Sequence, residues 1–157
     1  AFTALVRGQA LRIGLSICYD LRFPELYRAM KDIDIIFVPS AFTETTGRAH
    51  WETLLRARAI ENLAYVVAPA QGGRHENGRE THGDTMIIDP WGAVLNRLPR
   101  GAGVVIADVN LSHLQGLRRN LPALEASPPF AVPPLSSKRS ERLAMPLANP
   151  ANHNPKC

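Results

Sequence analysis

Cys18 is the residue of this 157-residue chain best placed to do chemistry. It follows LRIGLSI, residues 11 to 17, an apolar run short enough for a buried strand. After it comes YDLRFPELYRAMK, in which Pro24 suits the first turn of a helix. A side chain at such a strand-to-helix junction stands at the carboxyl edge of a sheet, where open α/β sheets place ligands. Backbone N–H groups at the junction can hold an oxyanion, so a thiol there has the surroundings of a nucleophile. A free cysteine is also commonly a small core hydrophobe. Position alone leaves both readings open.

Other chemically capable residues carry weaker signals. Asp20, Arg22 and Glu25 follow the cysteine, and a structural ion pair at the helix start accounts for them better than catalysis does. His75, His82 and Asp84 are the nearest approach to a metal cluster, but neither a His-Glu-x-x-His pattern nor paired cysteines accompany them. They read as a solvated loop, so no metal is expected. His50 and His82 stay open as bases of a Cys–His hydrolase, although no motif sets either beside Cys18. Gly101 and Gly103 lack a following helix at phosphate-cradling distance, which leaves nucleotide binding weakly supported. No cofactor is expected.

The elements that must position Cys18 alternate in type. IDIIFVP, residues 33 to 39, is a β-branched strand ended by proline. Residues 48 to 62 have helical period, with Trp51, Leu54, Leu55 and Ala59 on one side and Glu52 and Arg56 spaced as an i,i+4 pair. Arg56, Arg58 and Glu61 read as a solvated charged face of that helix. LAYVVAPA, residues 63 to 70, is a third strand, and Gly72 to Gly83 a polar loop. Two short strands flank Asp89-Pro90-Trp91-Gly92, a hairpin signal. A strand at 103 to 109 and a helix near 111 to 119 complete an α/β layered fold with mixed strands.

Bulk properties narrow the function. No apolar run is long enough to span a membrane, and Ala1 to Val6 carry no basic leader pattern, so neither a membrane nor an export signal is expected. Two cysteines, Cys18 and Cys157, make no disulfide framework, which favours a reducing cytoplasm. Most of the net charge of +4 falls in residues 127 to 157, where Lys138, Arg139, Arg142 and Lys156 face Glu141 alone. A basic tail is not a basic binding face, so no nucleic-acid partner is expected. Seven of the thirteen prolines lie in that same stretch, and residues 125 to 157 read as a disordered tail beside a domain at 1 to 124.

CYDLRFPELYR (18 to 28), VPSAFTETTGRAHWETLLRARAIENLAYVVAPAQGG (38 to 73) and GDTMIIDPWGAVL (83 to 95) resemble, in order and spacing, the motifs of nitrilase-superfamily amidases. The likeness covers about residues 11 to 124 and is nearest to amidases acting on deaminated glutathione and to omega-amidases. It implies an αββα sandwich, of which this chain would hold the C-terminal portion, and a Glu–Lys–Cys catalytic set. Cys18 would be the nucleophile, forming a thioester as ammonia leaves, and the Tyr19 backbone N–H an oxyanion donor. Phe42 and Thr43 would contact a small carboxylate-bearing amide substrate. The resemblance also implies a homodimer or higher oligomer. The family's glutamate and lysine precede the cysteine, yet none of residues 1 to 17 is Glu or Lys. THGDT also departs from the family's more usual Gly-His-Ser. A fragment of a longer enzyme, or an inactive truncated homologue acting as an oligomerising or binding module, is therefore the alternative.

Overall fold

The computed structural model describes residues 1–125; the proline-rich stretch beyond them, with its expected disorder, lies outside the described residues. Six strands form one mixed sheet in the order β1 (Phe2–Val6), β2 (Gln9–Leu15), β3 (Ile35–Phe37), β4 (Tyr65–Ala68), β7 (Thr85–Ile88) and β8 (Val94–Leu98). Strands β2, β3 and β4 are parallel, and the outer pairings are antiparallel. Parallel neighbours need crossover connections. A 3₁₀ turn at Cys18–Arg22 and helix α1 (Pro24–Met30) provide the first, and helix α2 (Glu44–Asn62) the second.

Local chemistry sets these boundaries. The β1–β2 hairpin turns through Arg7 and Gly8, both at positive φ, which suits the twist of a two-residue hairpin. Helix α2 begins four residues earlier than its apolar period suggests, because the Thr43 side chain accepts the Thr46 N–H at 3.4 Å. It stops at Leu63, which adopts the left-handed conformation. In the β7–β8 turn, one Asp89 carboxylate oxygen accepts N–H groups from Trp91 and Ala93.

The sheet separates two apolar clusters. On one face Ile36, Val66, Met86 and Ile88 pack with Tyr27 of α1 and Trp51, Leu55 and Ala59 of α2. On the other face Leu11, Ile35 and Tyr65 meet Leu114 of helix α3 (Leu111–Asn120). Arg118 of α3 ties this end down, donating to the Ile33 and Leu63 carbonyls and to Asp34.

Three expectations are corrected. Residues 103 to 109 form no strand, and Val104 is 84% exposed. Strand-prone side chains make a strand only where a neighbouring edge accepts the ladder, and here Ile106 O is instead held by the Asn96 amide at 2.9 Å. The polar loop after β4 contains a two-stranded hairpin of β5 (Gly72–Arg74) and β6 (Glu80–His82). This hairpin leans on the start of α2, where Gly47 is obligatory: a Cβ there would overlap the His82 side chain. Arg58, assigned to a solvated face, is buried.

Candidate active site

Cys18 lies at the end of β2 and opens the 3₁₀ turn with a φ of +48°, in the left-handed region that a cysteine rarely occupies. Such backbone strain is tolerated where the surroundings over-determine it, and it concentrates at functional positions. The surroundings here are specific. Cys18 N–H donates to Pro39 O at 2.9 Å, extending the parallel β2–β3 relation past both strands. The turn closes on itself, with Ile17 N–H donating to the Asp20 carboxylate at 2.9 Å and Asp20 N–H returning to Ile17 O at 3.0 Å. Leu21 is fully buried, and its carbonyl accepts from Arg58 Nε and Nη2 at 3.1 and 2.7 Å. A guanidinium fork from α2 thus pins the turn that carries the thiol, while Glu61 holds the same guanidinium at 2.8 Å.

Beneath the turn, the Tyr27 and Ser16 hydroxyls meet at 2.7 Å. Burial pushes the Tyr27 phenol up from its ordinary value, more than the Ser16 bond and nearby Arg58 pull it down. A neutral phenol is a structural strut here.

Tyr19 N–H occupies the second position of the turn, where a helix supplies no acceptor of its own. No partner meets it among the described residues. The Tyr19 ring is exposed, stacked edge-on with Phe23. Arg22 pairs with no carboxylate among the described residues. Its guanidinium lies over the rings of Tyr19 and Phe42, 5.6 and 5.3 Å from their centroids, and touches His50 Nδ1 at 3.3 Å.

An open cleft of about 510 Å³ adjoins Cys18. It is walled by the loops after β2, β3 and β4 and by the first residue of β7, which places it at the carboxyl ends of the three parallel strands. Besides Cys18 its polar side chains are Ser40, Gln71 and Thr85. Phe42 and Thr43 are absent from this wall. Phe42 is buried 4.9 Å from the Trp51 ring, and Thr43 caps α2, sharing its hydroxyl with Thr46 at 2.8 Å. His50 and His82 do not line the cleft either.

Sequence reasoning passed over Gln71, Thr85 and Arg58. Gln71 stands in the loop that leaves β4 and Thr85 where a loop enters β7, both at the same sheet edge as Cys18. Arg58 was hidden by its charge, which masks a position on the buried stripe of α2.

The histidine loop has an electrostatic role beside the cleft. Asp84 is buried, takes a two-pronged Arg97 guanidinium, and faces His82 Nε2 at 3.7 Å. Bonding to Asp84 holds the Arg97 guanidinium above its ordinary range. Glu44 binds Arg48 at 2.7 Å, Arg100 at 3.0 Å and His82 at 3.3 Å; the Arg48 bond, foremost, keeps its carboxyl below the usual range. His75 Nε2 meets the Thr81 hydroxyl at 2.9 Å, and among the described residues no group of three potential ligands could hold a metal ion. No helix among them is long and apolar enough to cross a membrane.

A family model described as carbon–nitrogen hydrolase matches residues 2–119. A protein of Synechocystis named deaminated glutathione amidase is 53% identical over 115 residues, spanning 72% of this chain and 42% of that protein. The human protein of the same name is 50% identical over 122 residues, spanning 76% and 37%. Among solved structures, the NitFhit protein of C. elegans is 48% identical with a TM-score of 0.66, over 74% of this chain and 29% of that one. The chain spans less than half the length of these curated relatives.

Proposed function

The chain belongs to the carbon–nitrogen hydrolase family, and on that premise we propose that it carries the thiol of an amidase acting on a small carboxylate-bearing amide. The observation that carries this reading is Cys18 itself, held at positive φ on a pinned turn beside an open cleft. The sulfur attacks the amide carbonyl carbon and the carbonyl electrons move onto oxygen, where Tyr19 N–H meets them. When the tetrahedral species collapses, the carbon–nitrogen bond breaks, nitrogen takes up the proton that the Cys18 thiol gave up on attack, and ammonia leaves a Cys18 thioester. Water then adds, the carbon–sulfur bond breaks, the acid is released and a proton from that water restores the Cys18 thiol.

The relatives' name, deaminated glutathione amidase, supports a substrate of this class. Phe42 would contribute as the packed backing of the cleft rim, and Thr43 by fixing the start of α2. A homodimer or higher oligomer fits the exposed Ile60 of α2 and Trp91. A cytoplasmic setting suits a chemistry that needs a reduced thiol.

A second reading rests on a different observation. Among the described residues, none of the side chains lining the cleft is a carboxylate, histidine or lysine, so none of them can serve Cys18 as a base near neutral pH. Under this reading the chain binds the amide or a partner without turning it over. Ammonia release from a panel of omega-amides decides between the two, with the Cys18→Ala variant alongside. Release that disappears in the variant establishes the amidase. Release that survives in it sinks the thioester route, and no release from either protein favours the binding module.

A further inference from the structure

The polar groups of the cleft are unequally committed. The Ser40 hydroxyl donates to Val38 O at 3.2 Å. The Thr85 hydroxyl accepts from Ala70 N–H at 2.9 Å and reaches Ala70 O at 3.4 Å. Gln71 differs from both. Its backbone is clamped on either side, its N–H donating to Ser40 O at 2.9 Å and its carbonyl accepting from Gly83 N–H at 3.1 Å. Its carboxamide is exposed and has no bonding partner among the described residues. Among the described residues the cleft therefore contains one uncommitted donor–acceptor head on an anchored base, and no lining side chain that carries a formal charge.

We propose that Gln71 is a specificity-determining residue that pairs with a neutral amide group of the substrate other than the scissile one; this rests on reading the cleft as the amide site. A carboxamide offers one acceptor and two donors, the complement of a second amide. A carboxylate brought to the same wall would leave water without meeting a cation. A neutral amide exchanges its water bonds for equivalent ones, and the clamped backbone limits the ordering cost. The substrate's carboxylate is then bound away from this wall, while its amide-bearing segment lies along it.

The test uses the full chain carrying Cys18→Ala, so that nothing is turned over. Calorimetric titration compares a short diamide with a chain-matched primary amide whose inner CO–NH is replaced by CH2–CH2. The diamide should bind about tenfold more tightly, as one good neutral hydrogen-bonding pair allows. Adding Gln71→Leu should erase that preference by weakening diamide binding; circular dichroism confirms that the fold is retained. A preference that survives Gln71→Leu overturns the proposal. So does equal binding, or none, of the two ligands to the chain that retains Gln71. Ammonia release by the chain with Cys18 intact is scored separately. A Gln71-dependent preference without release removes the thioester chemistry but not this contact, whereas release without the preference does the reverse.

Discussion

The two faces of the sheet differ in how this chain covers them. On the face toward α1 and α2, Ile36, Val66, Met86 and Ile88 are sealed by helices that the crossovers place there. On the opposite face α3 covers one end, over Leu11, Ile35 and Tyr65, and the other end stays open, with Leu15 at 55% and Ile17 at 68% exposure. Yet the strands themselves are apolar on both faces, the pattern of a sheet built to be covered twice. Burial is thus a property of the crossover helices as much as of strand composition. Cys18 sits at the border between these regimes: its turn is pinned from the closed side by Arg58, while its neighbour Ile17 faces the open one.

Substitutions on the two faces should therefore separate widely. Trp51→Ala, on the closed face, removes a fully buried ring and its bond to Asp84 O, and should cost about 3–5 kcal/mol in urea unfolding. A loss below about 1 kcal/mol would erase the distinction drawn between the faces. Arg58→Met probes the border. It leaves Leu21 O and Glu61 without their cation and should cost about 2–3 kcal/mol. It should also alter the rate of Cys18 alkylation by iodoacetamide, read by site-resolved mass spectrometry; an unaltered rate would mean that the fork supports the fold without positioning the thiol. On the open face, Leu15→Thr should stay within about 0.5 kcal/mol of the parent.

The smallest effect is electrostatic. Glu44, held low chiefly by Arg48, binds its proton more readily in the unfolded chain than in the folded one. Its stabilisation is therefore full above the ordinary carboxylate range and fades as pH falls through the lowered folded value. Glu44→Gln removes it, so the Tm gap between parent and variant should narrow on acidification. A gap that widened would reverse the sign.

Much of the closed face was legible in the sequence, because its signals are local. The period of Trp51, Leu55 and Ala59, the β-branched run before Pro39 and Asp89-Pro90-Trp91-Gly92 each encode an element within a few residues. Arg7–Gly8 carries a weaker turn signal than Asn-Gly, so the hairpin that adds β1 to the sheet went unseen. Residues 103 to 109 failed for the opposite reason: their propensity is strong, but pairing depends on an edge that no local pattern describes. The strand-to-helix junction that carries Cys18 was visible from the apolar run before it and Pro24 after it. Gln71 and Thr85 were not, since they reach the cleft only once β4 and β7 are placed beside β3, and that adjacency is a fact of topology.

Gly47 acts as a spacer gauge between α2 and the β5–β6 hairpin. The gap between α2 and β6 is set by the hydrogen that stands there in place of a methyl group. His82 N–H bonds Phe42 O at 2.9 Å across that gap, and the other arm of the hairpin starts directly after Gln71. A shim of one carbon at residue 47 would press on His82, in a hairpin whose first strand begins next to Gln71 of the cleft wall.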